Sequence, residues 1–218
     1  MKIPKEIRDT YAIADPEADL ILKEFDENKG SFVLEVGGQD APIASILAKS
    51  GFAVTGVDLR ESDQQLNYLH IKGDFCKIAS KMLRSGGEFD AVIACSSLEH
   101  FGLNTYKEGV FNSLYDAIAV RYVYDLLKPG GNFYVTVPFG GKYKEMGTHW
   151  RVYDWCSFYE RIMQDFQLCS MYLKVCEDIF VNGTQYRVGD NIPTLDALSN
   201  IWGHPNVSCF AKLKKVST

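Results

Sequence analysis

Nowhere in the 218 residues do 18 apolar residues run together, so the sequence offers no membrane-spanning helix. The opening segment, MKIPKEIRDTYAIADPEADL, carries charges and prolines where a secretory leader needs an apolar stretch. Both absences predict a cytoplasmic protein. The six cysteines (Cys76, Cys95, Cys156, Cys169, Cys176 and Cys209) include no C-x-x-C pair, which signals neither a zinc knuckle nor a disulfide framework and predicts reduced thiols. An excess of positive charge is also missing. Lys and Arg number 23 against 28 Asp and Glu, a formal net charge of −5, so the long-range field that draws proteins to phosphate backbones is not there and a nucleic-acid substrate is not expected. The one basic run, Lys212 to Lys215, reads as a solvated strand end. With 46% hydrophobic residues and neither repeats nor a low-complexity linker, the composition predicts a single domain over residues 1–218.

What is present is an alternation of strand-length apolar runs with helical periodicity, which calls for a mostly parallel sheet covered on both faces. Residues 31–36, 52–58, 66–74, 89–95 and 131–138 read as five strands, and the runs 168–181 and 207–215 as a closing pair. Between the first two strands Asp40 is placed to cap a helix, Pro42 falls in its first turn and Gly51 stops it. A longer helix near 112–127 puts Tyr115, Ile118, Ala119, Tyr122, Val123 and Leu126 on one stripe. Within residues 1–30, PEADLILKEFDENKG reads as an added helix that packs on the sheet or lies over a ligand cleft.

Gly37 and Gly38 follow the first strand, where a turn without Cβ atoms lets backbone approach a ligand. Turning the chain is an equally good reason for the pair. The second strand ends in Asp58, 21 residues after Gly37, where doubly wound folds place the acid that accepts hydrogen bonds from a ribose. Asp74 ends the third strand beside Phe75; its carboxylate either faces an adenine amino group or caps the helix that follows. Three such positions at successive strand ends lie on the side where these sheets bind ligands.

The succession VLEVGG, VTGVD, GDF, FDAVIACSSLEH and LLKPGGNFYVTVP, over about half of the chain, resembles the motifs of class I S-adenosylmethionine-dependent methyltransferases. The resemblance implies a Rossmann-like α/β fold, doubly wound, with a mostly parallel sheet, a closing antiparallel strand and helices on both faces. It implies S-adenosylmethionine as cofactor, with Glu35, Gly37 and Gly38 at its methionine end, Asp58 on the ribose, Asp74 at the adenine, and Ser96 and Glu99 in the surrounding pocket. The family's first motif has glycines where this chain has Gln39 and Ala41, so the cradle must tolerate a Cβ at both. The fragment SSLEHFGL, with the later VPFG and RVYD, is also similar to a subgroup associated with sugar and cell-surface polysaccharide modification.

Methyl transfer from a sulfonium is an in-line displacement, and an oxygen acceptor benefits from a base. His100, after the fourth strand, and His149, after the fifth, are the candidate catalytic residues because imidazole titrates near neutral pH. His70 and His204 read as structural. Glu99, His100 and His149 could instead converge on a divalent metal, but Ser96 stands where that pattern wants another acid and no metal is expected. Residues 139–154 are long for a loop and predict a substrate lid, with Tyr143, Trp150, Arg151 and Tyr153, together with Tyr106, as candidate contacts. The expected acceptor is a hydroxyl of a small molecule or saccharide. An NAD-dependent oxidoreductase lacks its G-x-G-x-x-G here, since the chain from Gly37 reads GGQDAP. A non-catalytic cofactor-binding subunit is the remaining alternative.

Overall fold

The computed structural model describes residues 16–25, 32–38, 42–62, 66–107, 109–175, 179–181, 184–187, 190 and 207–216. Gln39, Asp40, Ala41, Cys176 and His204 lie outside these residues.

In chain order the first elements are α1 (Pro16–Phe25), β1 (Phe32–Val36), α2 (Ile43–Lys49), β2 (Ala53–Asp58), β3 (Leu69–Lys72), α3 (Phe75–Arg84) and β4 (Phe89–Cys95). A single 3-10 turn, Leu98–His100, follows β4. Then come α4 (Tyr115–Leu126), β5 (Leu127–Pro138), a short hairpin of β6 (Lys144–Glu145) and β7 (Arg151–Val152), and α5 (Trp155–Phe158), which runs on as a π-helical turn through Met163. The remaining strands are β8 (Phe166–Val175), β9 (Ile179–Val181), β10 (Thr184–Tyr186) and β11 (Val207–Lys215).

Seven strands form one sheet in the order β3-β2-β1-β4-β5-β11-β8. The first five are parallel, and β11 inserts antiparallel to both β5 and β8. This is the Rossmann-like, doubly wound sheet with an antiparallel closing edge. The chain leaves β1 toward β2 and later returns to β4 on the other side of β1, so the connections diverge and open a crevice above the carboxyl ends of β1 and β4.

Alternation along the central strands divides the core between the two faces. Val92 and Ala94 of β4 pack toward α3 and α4, while Ala91, Ile93 and Cys95 pack toward α1 and α2. Burial on both sides explains why β4 reads in the sequence as an unbroken apolar run. Helix α1 places Ala18, Ile21, Leu22 and Phe25 on one stripe, and Phe25 meets Phe52 and Tyr134 with ring centroids 5.2 Å apart.

Several sequence expectations shift. The third strand is shorter, Leu69–Lys72, because it is the sheet edge and pairs only with β2. The run through Val181 breaks after Val175, where β11 begins pairing at Val207; Ile179–Val181 instead form a hairpin with β10. The α4 stripe turns so that Asp116, Ala119, Val120, Val123 and Leu126 are buried and Ile118 is exposed. A buried Asp116 does not look apolar in sequence, yet it accepts hydrogen bonds from Tyr153 Oη at 2.7 Å and from the Arg161 guanidinium. The basic run is not uniformly solvated either, since Lys212 is buried over the Tyr134 ring near Glu24.

Candidate active site

The crevice above β1 and β4 is a cleft with about 920 Å3 of empty space, its open mouth included. Gly37, Asp58, Asp74, Ser96 and His100 all line it, so five of the residues singled out in the sequence come together. Glu35, Gly38, Glu99 and His149 are not part of this wall.

The glycine turn has an internal reason. Gly37 adopts φ +70°, and a Cβ on it would stand 2.5 Å from the Ser97 Cβ, so the turns after β1 and β4 pack directly on each other. Ser97 Oγ locks that contact by donating to the Val36 carbonyl at 2.8 Å. A Cβ on Gly38 would fall 2.2 Å from the Glu35 carboxyl carbon. Glu35 is thus tucked under the turn, where it accepts a hydrogen bond from the Ala44 N–H, and burial pushes its carboxyl well above the usual carboxylate range.

Asp58 is almost fully buried at the end of β2, and its Oδ1 accepts from the Arg60 N–H at 2.8 Å and from Arg60 Nε at 3.2 Å. Asp74 caps α3 by accepting from the Lys77 N–H at 3.2 Å, and it also lines the cleft beside Phe75. Its second oxygen accepts from Tyr115 Oη at 2.7 Å. Burial, together with this hydrogen bond to a carboxylate, holds the phenol above its ordinary range. Burial also pushes the neighbouring Cys76 thiol up to about 12, so it stays a thiol.

The far end of the cleft is built around Ser96, which turns the chain out of β4 at φ +42°. Its N–H donates to Thr136 Oγ1 at 2.8 Å, and its hydroxyl donates to the carboxylate of Glu17 from α1. The added helix therefore satisfies both sequence options, with its apolar stripe on the sheet and its first turn in the cleft.

His100 Nδ1 lies 2.5 Å from the backbone carbonyl of His149. A carbonyl only accepts, so Nδ1 carries the proton and Nε2 is the proton-accepting nitrogen of the neutral ring. Glu99 Oε1 is 3.9 Å from that Nε2, and Glu99 Oε2 is buried with no hydrogen-bond partner among the described residues. Burial raises the Glu99 carboxyl well above its usual range. The His149 imidazole is exposed and lies against Trp150, so His149 meets His100 through its carbonyl rather than its ring. Among the described residues no three His, Cys, Asp or Glu side chains form a metal-binding group.

The hairpin segment expected to form a lid acts largely as a brace. Arg151 is fully buried and donates to the carbonyls of Phe101 at 2.6 Å and Glu99 at 3.4 Å, and its Nε is 3.2 Å from Glu145 and 3.9 Å from Asp116. Tyr153 is equally buried. Neither side chain is available to a substrate. Tyr143 donates to Glu145, and the Trp150 indole N–H is buried. Tyr106 alone of the proposed contacts lines the cleft; its ring is 5.7 Å from His100 and 5.0 Å from the Arg60 guanidinium carbon.

The methyltransferase domain family matches residues 6–169 of this chain. The chain belongs to that family. With its Rossmann-like sheet it is a class I S-adenosylmethionine-dependent methyltransferase, and S-adenosylmethionine is its cofactor. Solved methyltransferases share the fold at low identity. The 1,6-didemethyltoxoflavin-N1-methyltransferase of Burkholderia thailandensis, with bound 1,6-didemethyltoxoflavin and S-adenosylhomocysteine, is 15% identical with a TM-score of 0.62, covering 97% of this chain and 83% of that one. The N-methyltransferase NodS of Bradyrhizobium japonicum is 10% identical with a TM-score of 0.61 and 98% of each chain covered. A TehB-like methyltransferase of Corynebacterium glutamicum is 17% identical with a TM-score of 0.54, over 93% of this chain and 88% of that one. No curated protein matches the sequence.

The residues of the methyltransferase cleft have the chemistry its cofactor needs. Asp58 and Asp74 supply acceptor oxygens at adjacent strand ends, Phe75 supplies an apolar face, and the Gly37 turn opens the space between β1 and β4. Sequence reasoning missed Glu17, Arg60 and the hydroxyl of Tyr115. A polar residue in the first turn of a helix has no local signature for what lies across the cleft, and Tyr115 reads as one more apolar position of α4.

Proposed function

We propose that this methyltransferase methylates a hydroxyl group of a small molecule or saccharide, with His100 as the proton acceptor. The observation that carries the reading is the His100 ring itself: it lines the same cleft as Asp58 and Asp74 and is held in the tautomer whose Nε2 accepts a proton. S-adenosylmethionine, when bound, supplies a methyl group on positively charged sulfur that is open to in-line displacement. Asp58 accepts hydrogen bonds from the ribose hydroxyls, and Asp74 offers a lone pair to the adenine amino group while Phe75 covers the ring. Gly37 gives its backbone to the methionine end, and Gly38 lets Glu35 close the turn from below.

On the acceptor side, His100 Nε2 takes the hydroxyl proton as the oxygen acquires its methyl. The His149 carbonyl keeps the other ring nitrogen protonated throughout. Ser96 lines the pocket near the ring's segment, and Glu99 lies buried beside the ring, outside the cleft wall. Phe101 and Tyr106 add aromatic surface of the kind on which the C–H face of a sugar stacks. Carboxylates at Glu17, Asp58 and Asp74 make the cleft a poor place for a phosphate backbone, as does the net charge of −5.

The test is methyl transfer from radiolabelled S-adenosylmethionine across matched acceptors: monosaccharides, oligosaccharides and phenols against their amino counterparts. Label is expected in the hydroxyl compounds, with rates falling as the pH drops and imidazole protonates. Transfer confined to amines, or to RNA or protein, would contradict the proposed acceptor.

A further inference from the structure

The cleft carries one carboxylate that neither the ribose nor the adenine uses. Glu17, in the first turn of α1, lines it and accepts the Ser96 hydroxyl hydrogen bond, while Ser96 is itself fixed by Thr136. The helix that delivers Glu17 is anchored by Ala18, Ile21, Leu22 and Phe25, all buried against the sheet. The carboxylate is therefore presented from a rigid element rather than from a loop.

Sheet order fixes which part of the ligand it meets. Asp74 and Asp58 stand at the ends of β3 and β2, whereas Gly37 and Ser96 stand at the ends of β1 and β4, the next strands across. A ligand with its nucleoside over β2 and β3 has its other end over β1 and β4, beside Ser96 and Glu17. S-adenosylmethionine and S-adenosylhomocysteine both end there in an amino acid bearing an ammonium group. Glu35, the acid that the sequence motif assigns to this end, is buried below Gly38 and absent from the cleft wall; it accepts from the Ala44 N–H, while its Oε1 has no hydrogen-bond partner among the described residues.

We propose that Glu17 binds the ammonium group of the cofactor's methionine end, in the role the motif gives to Glu35. The assignment rests on the cofactor reading above. An ammonium donating to a carboxylate is a charge-assisted hydrogen bond, stronger than a neutral one, and the Ser96 hydroxyl orients the accepting oxygens. The added N-terminal helix thereby becomes part of the cofactor site.

Calorimetric titration with S-adenosylhomocysteine and with 5′-methylthioadenosine separates the two ends of the ligand, since the latter keeps the nucleoside and thioether but lacks the amino acid. In Glu17→Gln, affinity for S-adenosylhomocysteine is expected to fall about tenfold or more, with methylthioadenosine affinity changed by less than about twofold. Glu17→Asp, which keeps the charge, recovers part of the loss, and the ligand-free unfolding midpoint of both variants stays near that of the unmodified protein. Equal losses for the two ligands, or an unchanged affinity for S-adenosylhomocysteine, overturn the assignment alone. An unmodified protein that binds neither ligand overturns the cofactor reading and the assignment together.

Discussion

Replacing His100 with alanine is expected to lower kcat by about 10²- to 10⁴-fold, the range that a positioned general base contributes, while S-adenosylhomocysteine affinity changes by less than about twofold. The separation follows from the geometry. His100 lines the cleft, and its ring hydrogen bond goes to the His149 backbone rather than to Asp58 or Asp74. A general base also leaves a trace in the pH–rate profile, because its protonated form is inactive; the acidic limb should disappear in the variant. His149→Ala is the internal contrast. Its carbonyl, not its exposed imidazole, holds His100, so most of the turnover should survive. A His100→Ala enzyme with unchanged kcat, or one that loses cofactor binding in proportion, contradicts the assigned role.

Arg151→Met should give the largest loss of stability: about 3 kcal/mol or more, the scale for breaking a buried charge network from one side. For a protein of this size that corresponds to a fall in Tm of roughly 6–12 °C. Arg151 is fully buried, and its loss removes the guanidinium donor from the Phe101 and Glu99 carbonyls and leaves Asp116 to Arg161 and Tyr153 among the described residues. Methionine keeps much of the volume, so the measured loss reports mainly the polar contacts. Because those carbonyls flank His100, kcat should also fall more than S-adenosylhomocysteine affinity. A shift in Tm of under about one degree would show that the network carries little of the fold's stability.

Sequence patterns anticipate elements whose identity depends on near neighbours. The residues 89–95 assigned to the fourth strand are the observed β4, because burial on both faces makes every position apolar. Asp58 is legible from its strand end and its spacing from Gly37, and Asp74 from its strand end; both line the cleft. What the sequence hides are contacts across long separations. Arg151 sits among aromatics and reads as a ligand-binding arginine, but its partners lie near residues 99–116 and enclose it completely. Glu35 reads as a cofactor contact by motif, yet it lies buried under the turn, held by the amide at the start of α2 in the space that the missing Gly38 Cβ leaves. The helix of residues 16–25 was legible as a helix; the reach of Glu17 to Ser96, across most of β1 through β4, was not.

The central claim is that the crevice at the β1–β4 switch point is an S-adenosylmethionine site with Asp58 on the ribose. It is tested most directly by calorimetric titration of the unmodified protein with S-adenosylhomocysteine, with Asp58→Asn run alongside. The account predicts saturable one-to-one binding that weakens by about tenfold or more in the variant. No heat at millimolar ligand, or binding that is indifferent to Asp58, would contradict it.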